Sequence, residues 1–482
     1  METRETLFNK LREISEKHKH FCPLFFSHVH VGTINEKTYC CVARAPDTPE
    51  QDPGETYVKE TVSEWWHSDK FNSDRKNILS NFKPDAKIKE CEVCWMQEEN
   101  NQISYRQQNI KELFDSDVKR KDHHLTQIIE NVQATLDNKP LPHNPQTFDT
   151  KFGNLCNLKC PTCSPYNSSQ HLKEVESNKS LYNKLDEKTR KNYLVKEYFG
   201  TDKLFDWVND ENWWKDFFEI SDNLIRIKST GGEPILNSTF NNFLQKLIEQ
   251  DKAKNILVEM ISNGQTFSKK LKEEVFEKFK ETRIILSVDA MGKQYEYIRF
   301  PGKWNVLDKN VKMFTFKNPD SIKAKITRVK IRFHPTLSIL NLLSLGEVML
   351  WTLKLNKNQN SPNLTEDHVY NDRFIIGDVG FVFFPEHLSI SHLLTDSMKK
   401  EAIKYWSKII VKIKLEKNPN VFQQTNYINM CKDIIKRIEN SNLKENYRDQ
   451  FVKYISTIDS IRGNSFKESC PKEYKLVKEH FK

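Results

Sequence analysis

Apolar and polar positions along the chain follow two alternating patterns after residue 146. Short β-prone runs recur at residues 147–154, 223–230, 256–263, 283–290, 329–336 and 373–384. The apolar spacing of amphipathic helices lies between them, at residues 238–251, 267–280, 304–316 and 340–354. Alternating strands and helices predict a parallel sheet that is covered by helices. We therefore expect an α/β fold over this part of the chain.

The segments around this part are mostly helical in pattern. Residues 1–20, 61–80, 97–137 and 395–482 read as helices, and residues 24–44 read as a β-hairpin. Residues 170–220 form a polar helical insertion that ends in an aromatic cluster, which predicts a core: Trp207, Trp213, Trp214, Phe217 and Phe218. We expect four consecutive regions: an N-terminal cysteine region (1–110), a helical linker (111–146), the α/β region (147–386) and a C-terminal helical region (387–482).

Composition indicates a polar globular protein. Of 482 residues, 37% are hydrophobic and 29% charged, and no apolar run approaches the ~18 residues that span a bilayer. The first twenty residues lack the apolar segment of a secretory signal, so we expect a cytoplasmic protein without a membrane partner. In a reducing compartment, clustered cysteines bind metal more often than they form disulfides. The net charge of +9 is spread along the chain, which favours a solvated basic surface and leaves a nucleic-acid partner open.

Three cysteines follow the first predicted strand within eight residues. Cys156, Cys160 and Cys163 can each bind one iron of a [4Fe-4S] cluster, and the fourth iron then has no protein ligand. Such an iron can bind the amino and carboxylate groups of S-adenosylmethionine (SAM). A zinc site is the alternative, but zinc sites use four ligands, and the closest histidines are His143 and His171.

Further elements follow the next strands in order. The second strand leads into Gly231-Gly232-Glu233-Pro234, the third into Ser262-Asn263-Gly264, and the fourth into Ser287-Val288-Asp289-Ala290. A stretch with Tyr297, Arg299, Gly302 and Trp304 comes next. With the cysteine spacing, this series resembles the radical SAM superfamily and, in its last stretch, the SPASM/twitch subgroup. The position before the third cysteine departs from the family's aromatic residue, because Thr162 stands there, so no adenine-binding residue is assigned.

The resemblance implies a partial (β/α)6 barrel with a SAM-binding [4Fe-4S] cluster. Its cofactor-binding residues would be Gly231, Gly232, Glu233, Pro234, Ser262, Asn263, Ser287, Asp289 and Arg299. The cluster would cleave SAM reductively to a 5′-deoxyadenosyl radical, with electrons from an external flavodoxin- or ferredoxin-type donor. Peptides and proteins are the commonest substrates of such relatives. A nucleotide, RNA or small-metabolite substrate is the alternative among enzymes, and a non-catalytic iron–sulfur or zinc scaffold is the alternative outside them.

The first hundred residues carry a second cysteine set. Cys22, Cys40, Cys91 and Cys94 precede a tail of Glu99, Ser104 and Arg106, and this arrangement resembles phage-type twitch domain-containing radical SAM proteins. The resemblance implies that the four cysteines ligate an auxiliary [4Fe-4S] cluster. A structural zinc site remains open, as does ligation by Cys41 in place of Cys40. His28 and His30 alternate on the hairpin and are expected as core or surface residues. Cys431 and Cys470 are expected to be inert.

Overall fold

The computed structural model describes residues 3–33, 35–40, 60–80, 88–99, 103–114, 121–199, 205–315, 328–357, 374–416 and 421–481. These residues form two compact units, each built from several segments. The first unit comprises Met1–Gly153, Phe199–Thr230 and Glu249–Val258, and the second comprises Asn154–Tyr198, Gly231–Ile248 and Glu259–Lys482. The four consecutive regions expected from the sequence remain a prediction.

The first unit combines a small sheet with helices. Its helices are α1 (Arg4–Lys17), α2 (Val62–Trp66), α3 (Asp69–Leu79), α4 (Glu92–Glu99), α5 (Tyr105–Phe114), α6 (Lys121–Leu136) and, in the predicted insertion, α11 (Glu211–Ile220). Its strands are β1 (His28–Val31), β2 (Lys37–Thr38), β3 (Thr147–Lys151) and β4 (Arg226–Thr230). Strand β5 (Leu257–Ser262) begins in this unit and ends in the second.

The strand order in the first unit is β2-β1-β3-β4. The predicted hairpin of β1 and β2 is present, and β1 also pairs in parallel with β3, with Val29 opposite Phe148. Strand β4 continues the parallel pairing, with Phe148 opposite Ile227. The apolar face of strands β1, β3 and β4 packs on α11, where the rings of Phe148 and Phe217 are 4.6 Å apart. The hairpin is therefore part of the sheet rather than a separate N-terminal element.

The second unit carries the remaining elements. Its helices are α7 (Ser169–Ser177), α8 (Lys179–Tyr182), α9 (Glu187–Tyr193), α10 (Val195–Phe199), α12 (Ser238–Glu249), α13 (Lys269–Glu274), α14 (Gly292–Ile298), α15 (Trp304–Lys312), α16 (Leu345–Lys357), α17 (Asp396–Leu415), α18 (Val421–Glu439), α19 (Glu445–Arg462), α20 (Phe466–Ser469) and α21 (Pro471–Val477). The last residue of α10, Phe199, and the last residue of α12, Glu249, belong to the first unit. Its further strands are β6 (Glu281–Leu286), β7 (Val329–Phe333), β8 (Thr336–Leu337), β9 (Ile375–Ile376) and β10 (Gly380–Phe381).

Strands β6, β7 and β9 are neighbours in that order and pair in parallel. The α/β fold with parallel strands is thus confirmed, whereas closure into a partial barrel of six strands remains a prediction. The expected strand at residues 373–384 is wrong in part: residue 373 lies outside the described residues, and the rest forms only the two short strands β9 and β10. Gly377 and Asp378 interrupt the run, and β10 pairs with β8 in a separate two-stranded sheet.

The aromatic cluster of the insertion is a core, as predicted. Trp207, Trp213 and Phe217 are buried, and the rings of Trp213 and Phe217 stack 5.4 Å apart. Across the part of the chain that the structure describes, no helix is both long and apolar enough to cross a membrane.

Candidate functional site

The segment that carries Cys156, Cys160 and Cys163 is a loop of the second unit. This cysteine loop, residues 154–164, has no regular helix or strand. The backbone N–H of Cys163 donates to the carbonyl of Cys160 at 3.0 Å, which closes a turn between the last two cysteines. Cys160 is buried, whereas Cys156 and Cys163 are half-buried. Two of the three thiols thus retain some contact with solvent.

Contacts from distant parts of the second unit fix the cysteine loop. The backbone N–H of Lys159 donates to the carbonyl of Phe300 at 2.6 Å, and the hydroxyl of Tyr454 donates to the carbonyl of Pro161 at 3.2 Å. The carboxylate of Glu174, itself 2% exposed, pairs with Lys159 at 3.1 Å and with Arg462 at 2.7 Å. Tyr454 and Arg462 lie on α19, in the C-terminal region for which the sequence indicated no chemistry.

The Gly-Gly-Glu-Pro segment touches the cysteine loop through its backbone. The N–H of Glu233 donates to the carbonyl of Leu155 at 2.7 Å. A Cβ atom at Gly232 would lie 2.4 Å from that carbonyl oxygen, so the two backbones can approach this closely only with glycine. Gly231 has a φ of 97°, which side-chain-bearing residues rarely adopt. Pro234 is buried and begins the 3₁₀ turn Pro234–Leu236.

The carboxylate of Glu233 is buried and bound to the turn after β5. It accepts hydrogen bonds from the hydroxyl of Ser262 at 2.8 Å and from the backbone N–H of Asn263 at 2.7 Å. Burial raises the pKa of Glu233 to about 7, and the hydrogen bonds oppose this shift. A cation that binds beside this carboxylate would compensate for the water that burial removes.

The Ser262-Asn263-Gly264 turn also reaches the cysteine loop. The side-chain amide of Asn263 donates to Oδ1 of Asn157 at 2.8 Å, and its Nδ2 lies 4.0 Å from Sγ of Cys156. Helix α15 also holds this turn, because Nδ2 of its Asn310 donates to the carbonyl of Gly264 at 2.8 Å. Neither Asn157 nor Asn310 was expected from the sequence, where isolated asparagines carry no distinguishing signal.

The residues after β6 meet the cysteine loop from another direction. The guanidinium of Arg299 lies with Nη1 3.8 Å from Sγ of Cys160 and with Nε 2.6 Å from Oδ2 of Asp289. Burial lowers the pKa of Arg299, but Asp289 and Cys160 outweigh that effect and keep it above its usual value. The N–H of Ser287 donates to the carbonyl of Ser262 at 3.0 Å. Hydrogen bonds therefore link the segment after β6 to the turn after β5, which in turn contacts the cysteine loop.

The donor set of the loop fits an iron–sulfur cluster. Three thiols can each ligate one iron of a cubane cluster and leave its fourth iron without a protein ligand. A structural zinc site takes four protein ligands instead. Burial raises the pKa of Cys156 to about 11 and also raises that of Cys160, so these two thiols are neutral until a metal replaces their protons.

The second cysteine set lines one cavity in the first unit. Cys22, Cys40, Cys91 and Cys94 line one cavity. Most of the other side chains around it are apolar or aromatic, such as Leu24, Phe25, Ile78 and Trp95, and two are charged, Glu90 and Arg106. Burial raises the pKa of Cys22 to about 12, and both burial and the other three thiols raise that of Cys91. Four thiols facing one cavity fit a cluster without an open iron. Cys41 lies outside the described residues.

The carboxylate of Glu98 binds Ser104 and Arg106, two residues of the expected tail. Glu98 accepts from Nε of Arg106 at 3.0 Å and from Nη2 at 2.6 Å, and it also accepts from the hydroxyl of Ser104 at 2.5 Å. The reason is the phase of α4: Glu98 follows the buried Cys94 by four residues and shares its face, whereas Glu99 is exposed. Arg106 also donates to the carbonyl of Phe21 at 2.9 Å, next to Cys22.

The remaining candidates behave as structural residues. His28 is buried and shares a 2.7 Å hydrogen bond with the hydroxyl of Thr147, and burial lowers its pKa well below the usual value. His30 lies 3.9 Å from the carboxylate of Asp149 on the neighbouring strand. Cys431 and Cys470 are buried, and burial raises the pKa of both thiols, which makes them poor nucleophiles.

Among known proteins, the chain is similar to a group of solved structures. No protein-family model and no curated protein matches the chain. Solved structures of SuiB from Streptococcus suis are similar at 12–13% identity. The structure bound to S-adenosylmethionine has a TM-score of 0.30, and the match covers 71% of this chain and 62% of that one. The structure bound to the precursor peptide SuiA has a TM-score of 0.31, with 72% and 64% covered. The chain thus spans less than two thirds of SuiB, and TM-scores this low identify neither its fold nor its function.

Proposed function

We propose that this chain is a radical SAM enzyme whose cysteine loop holds a [4Fe-4S] cluster through Cys156, Cys160 and Cys163. One observation carries the proposal: segments that lie 70 to 140 residues further along the sequence converge on this loop. Glu233 bonds to Leu155, Asn263 lies beside Cys156, and Arg299 lies beside Cys160. These are the segments that the resemblance assigns to SAM binding. A merely structural cysteine loop would not require a buried carboxylate and a glycine-only contact beside it.

When bound at Cys156, Cys160 and Cys163, the cluster would supply the electron for cleavage of SAM to methionine and a 5′-deoxyadenosyl radical, which would take a hydrogen atom from the substrate. The chain binds and orients the reactants. The carboxylate of Glu233, aligned by Ser262 and Asn263, accepts the SAM ammonium group. The backbone of Gly231, Gly232 and Pro234 leaves room for this group, and Ser287 and Asp289, which follow β6, border the site.

We further propose that Cys22, Cys40, Cys91 and Cys94 hold an auxiliary [4Fe-4S] cluster. All four face one cavity with apolar walls, which suits a fully ligated cluster that exchanges electrons and does not bind SAM. Such a cluster can accept the second electron when a peptide or protein substrate is oxidised. A peptide or protein is therefore the substrate class we propose, with an external flavodoxin- or ferredoxin-type protein as electron donor in the cytoplasm.

The test is SAM cleavage by protein reconstituted anaerobically with iron and sulfide. With dithionite, the wild-type chain should release 5′-deoxyadenosine, and Cys160→Ala should release none because one of three cluster ligands is lost. Cys431→Ala is the matched control: this buried thiol contacts the sulfur of Met349 at 3.8 Å, so its loss should leave cleavage intact. Wild-type protein that carries the loop cluster but does not cleave SAM would contradict the proposed function.

A further inference from the structure

Arg299 joins the cysteine loop to a buried carboxylate. Its Nη1 is 3.8 Å from Sγ of Cys160, and its Nε is 2.6 Å from Oδ2 of Asp289. The side chain of Arg299 is 13% exposed and that of Asp289 is 1% exposed. A guanidinium is always charged and presents its N–H groups in a fixed plane, so it can contact a carboxylate and a sulfur at the same time.

Asp289 has both carboxylate oxygens engaged within the protein. Oδ2 faces Arg299, and Oδ1 accepts the backbone N–H of Thr336 at 2.8 Å. The carbonyl of the same residue accepts from Nδ2 of Asn341 at 2.9 Å. A carboxylate bound in this way holds the guanidinium in one place, which is a different task from binding SAM.

The backbone around Arg299 fixes its position relative to the cysteine. Its N–H donates to the carbonyl of Tyr295 at 2.7 Å, which places it at the end of α14, and its own carbonyl accepts from Gly302 at 2.7 Å. The next carbonyl along the chain, that of Phe300, accepts from Lys159, which precedes Cys160. Two adjacent residues of this turn therefore contact two adjacent residues of the cysteine loop.

We infer that Arg299, held by Asp289, is a positioning residue for the Cys160 ligand and raises the reduction potential of the cluster at the loop. The inference rests on the proposed function and assigns Arg299 to the cluster instead of to SAM. An N–H group directed at a ligating sulfur withdraws electron density, and a fixed positive charge stabilises the more negative reduced cluster. The cluster is then easier to reduce, which is the step that SAM cleavage requires.

The test is a redox titration of reconstituted full-length protein, followed by electron paramagnetic resonance without SAM. The loop signal is identified as the one that Cys160→Ala removes. Arg299→Gln should lower the ratio of reduced to oxidised loop cluster about tenfold at a given potential, a shift of about 59 mV for one electron. Arg299→Lys keeps the charge but loses the planar fork and should shift the potential less. Arg283→Gln is the control, because Arg283 pairs with Glu281 at 2.5 Å on β6, and it should shift nothing.

Each outcome decides the question. An unchanged potential in an Arg299→Gln protein with full iron content would overturn the inference and leave the proposed function standing. If Arg299→Gln does not retain iron, Arg299→Lys decides instead, and a wild-type potential there would overturn the inference. Weaker SAM binding at an unchanged potential would assign Arg299 to SAM. A wild-type protein without a loop cluster would overturn both proposals.

Discussion

The two cysteine sets of this chain differ in how their ligands come together and in what surrounds them. The three cysteines of the loop lie within eight residues, and their neighbours are polar: the buried Glu233, Asn263 and Asp289 and the half-buried Arg299. The four cysteines of the first unit come from segments up to 72 residues apart and line a largely apolar cavity. One set is local in sequence with polar surroundings, and the other is distant in sequence with apolar surroundings.

This difference indicates two kinds of chemistry. Buried polar groups beside three thiols can bind a charged ligand next to a metal centre. In the proposed arrangement, the largely apolar walls around the four thiols would exclude other ligands from a fully ligated centre. The loop is thus the candidate for chemistry on SAM, and the cavity is the candidate for electron exchange.

The largest expected effect is on iron content, which should distinguish the two cysteine sets. Reconstituted wild-type protein should carry about eight irons, from two cubane clusters. Cys91→Ser combined with Cys94→Ser should remove about four of them and leave dithionite-driven SAM cleavage intact, because the loop belongs to the other unit. Iron content, far-UV circular dichroism and deoxyadenosine yield measure this, with Cys431→Ala as the control. Retention of all the iron in the double variant would remove these two cysteines from the ligand set.

The next effect concerns the close approach of the backbones of Gly232 and Leu155 at the cysteine loop. Gly232→Ala places a Cβ atom 2.4 Å from the carbonyl oxygen of Leu155, a clash that costs about 1–3 kcal/mol. We expect most of the loop iron and of the SAM cleavage to be lost, while the iron of the cavity is kept. Gly377→Ala is the matched control, since its Cβ would meet no atom within 4 Å. Equal iron contents in the two variants would show that the contact does not position the loop.

A smaller effect tests the arginine of the cavity. Glu98→Gln weakens the charge-assisted bonds to Arg106 and should lower the free energy of unfolding by about 1.5–3 kcal/mol. Glu99→Gln changes an exposed residue on the same helix and should stay within about 0.5 kcal/mol of wild type. Urea unfolding followed by tryptophan fluorescence compares the two. A smaller loss of stability in Glu98→Gln than in Glu99→Gln would contradict the assignment of Glu98 as the partner of Arg106.

The smallest effect is a pH dependence of the loop. Because burial raises the pKa of Glu233 to about 7, its carboxylate is charged above that pH and protonated below it. SAM affinity should therefore fall as the pH decreases from 8 to 6, by at most about tenfold for each unit below the pKa. Without ligand, the same shift stabilises the folded state at low pH, and this contribution is lost as the pH rises through about 7. Equilibrium dialysis with Glu233→Gln, which should bind SAM weakly and without this dependence, is the comparison.

Much of the fold could be predicted because its signals are local. Strand and helix patterns are read within ten to fifteen residues, and the strands from β3 to β7 lie where they were expected. The pairing of β1 with β3 was missed because it joins residues 119 positions apart, such as His28 and Thr147. Periodicity shows which face of a segment is apolar but does not identify its neighbour.

In the candidate site, too, contacts between distant segments could not be predicted from the sequence. The cysteines and the segments after the strands were recognisable, since spacing and order carry that information. Glu98 was missed because the choice between adjacent acids depends on the phase of α4. Tyr454 and Arg462 were missed because their helix has an ordinary amphipathic pattern, and only the tertiary structure brings them to Pro161 and Glu174.

The central claim is that the loop set holds a cluster with an open iron and the cavity set holds a closed one. The most direct measurement is the electron paramagnetic resonance spectrum of reduced protein with and without SAM, in two variants. With Cys91→Ser and Cys94→Ser, the remaining signal should change when SAM is added. With Cys156, Cys160 and Cys163 all changed to Ala, the remaining signal should not change. A SAM-sensitive signal in the second variant, or a SAM-insensitive one in the first, would contradict the account.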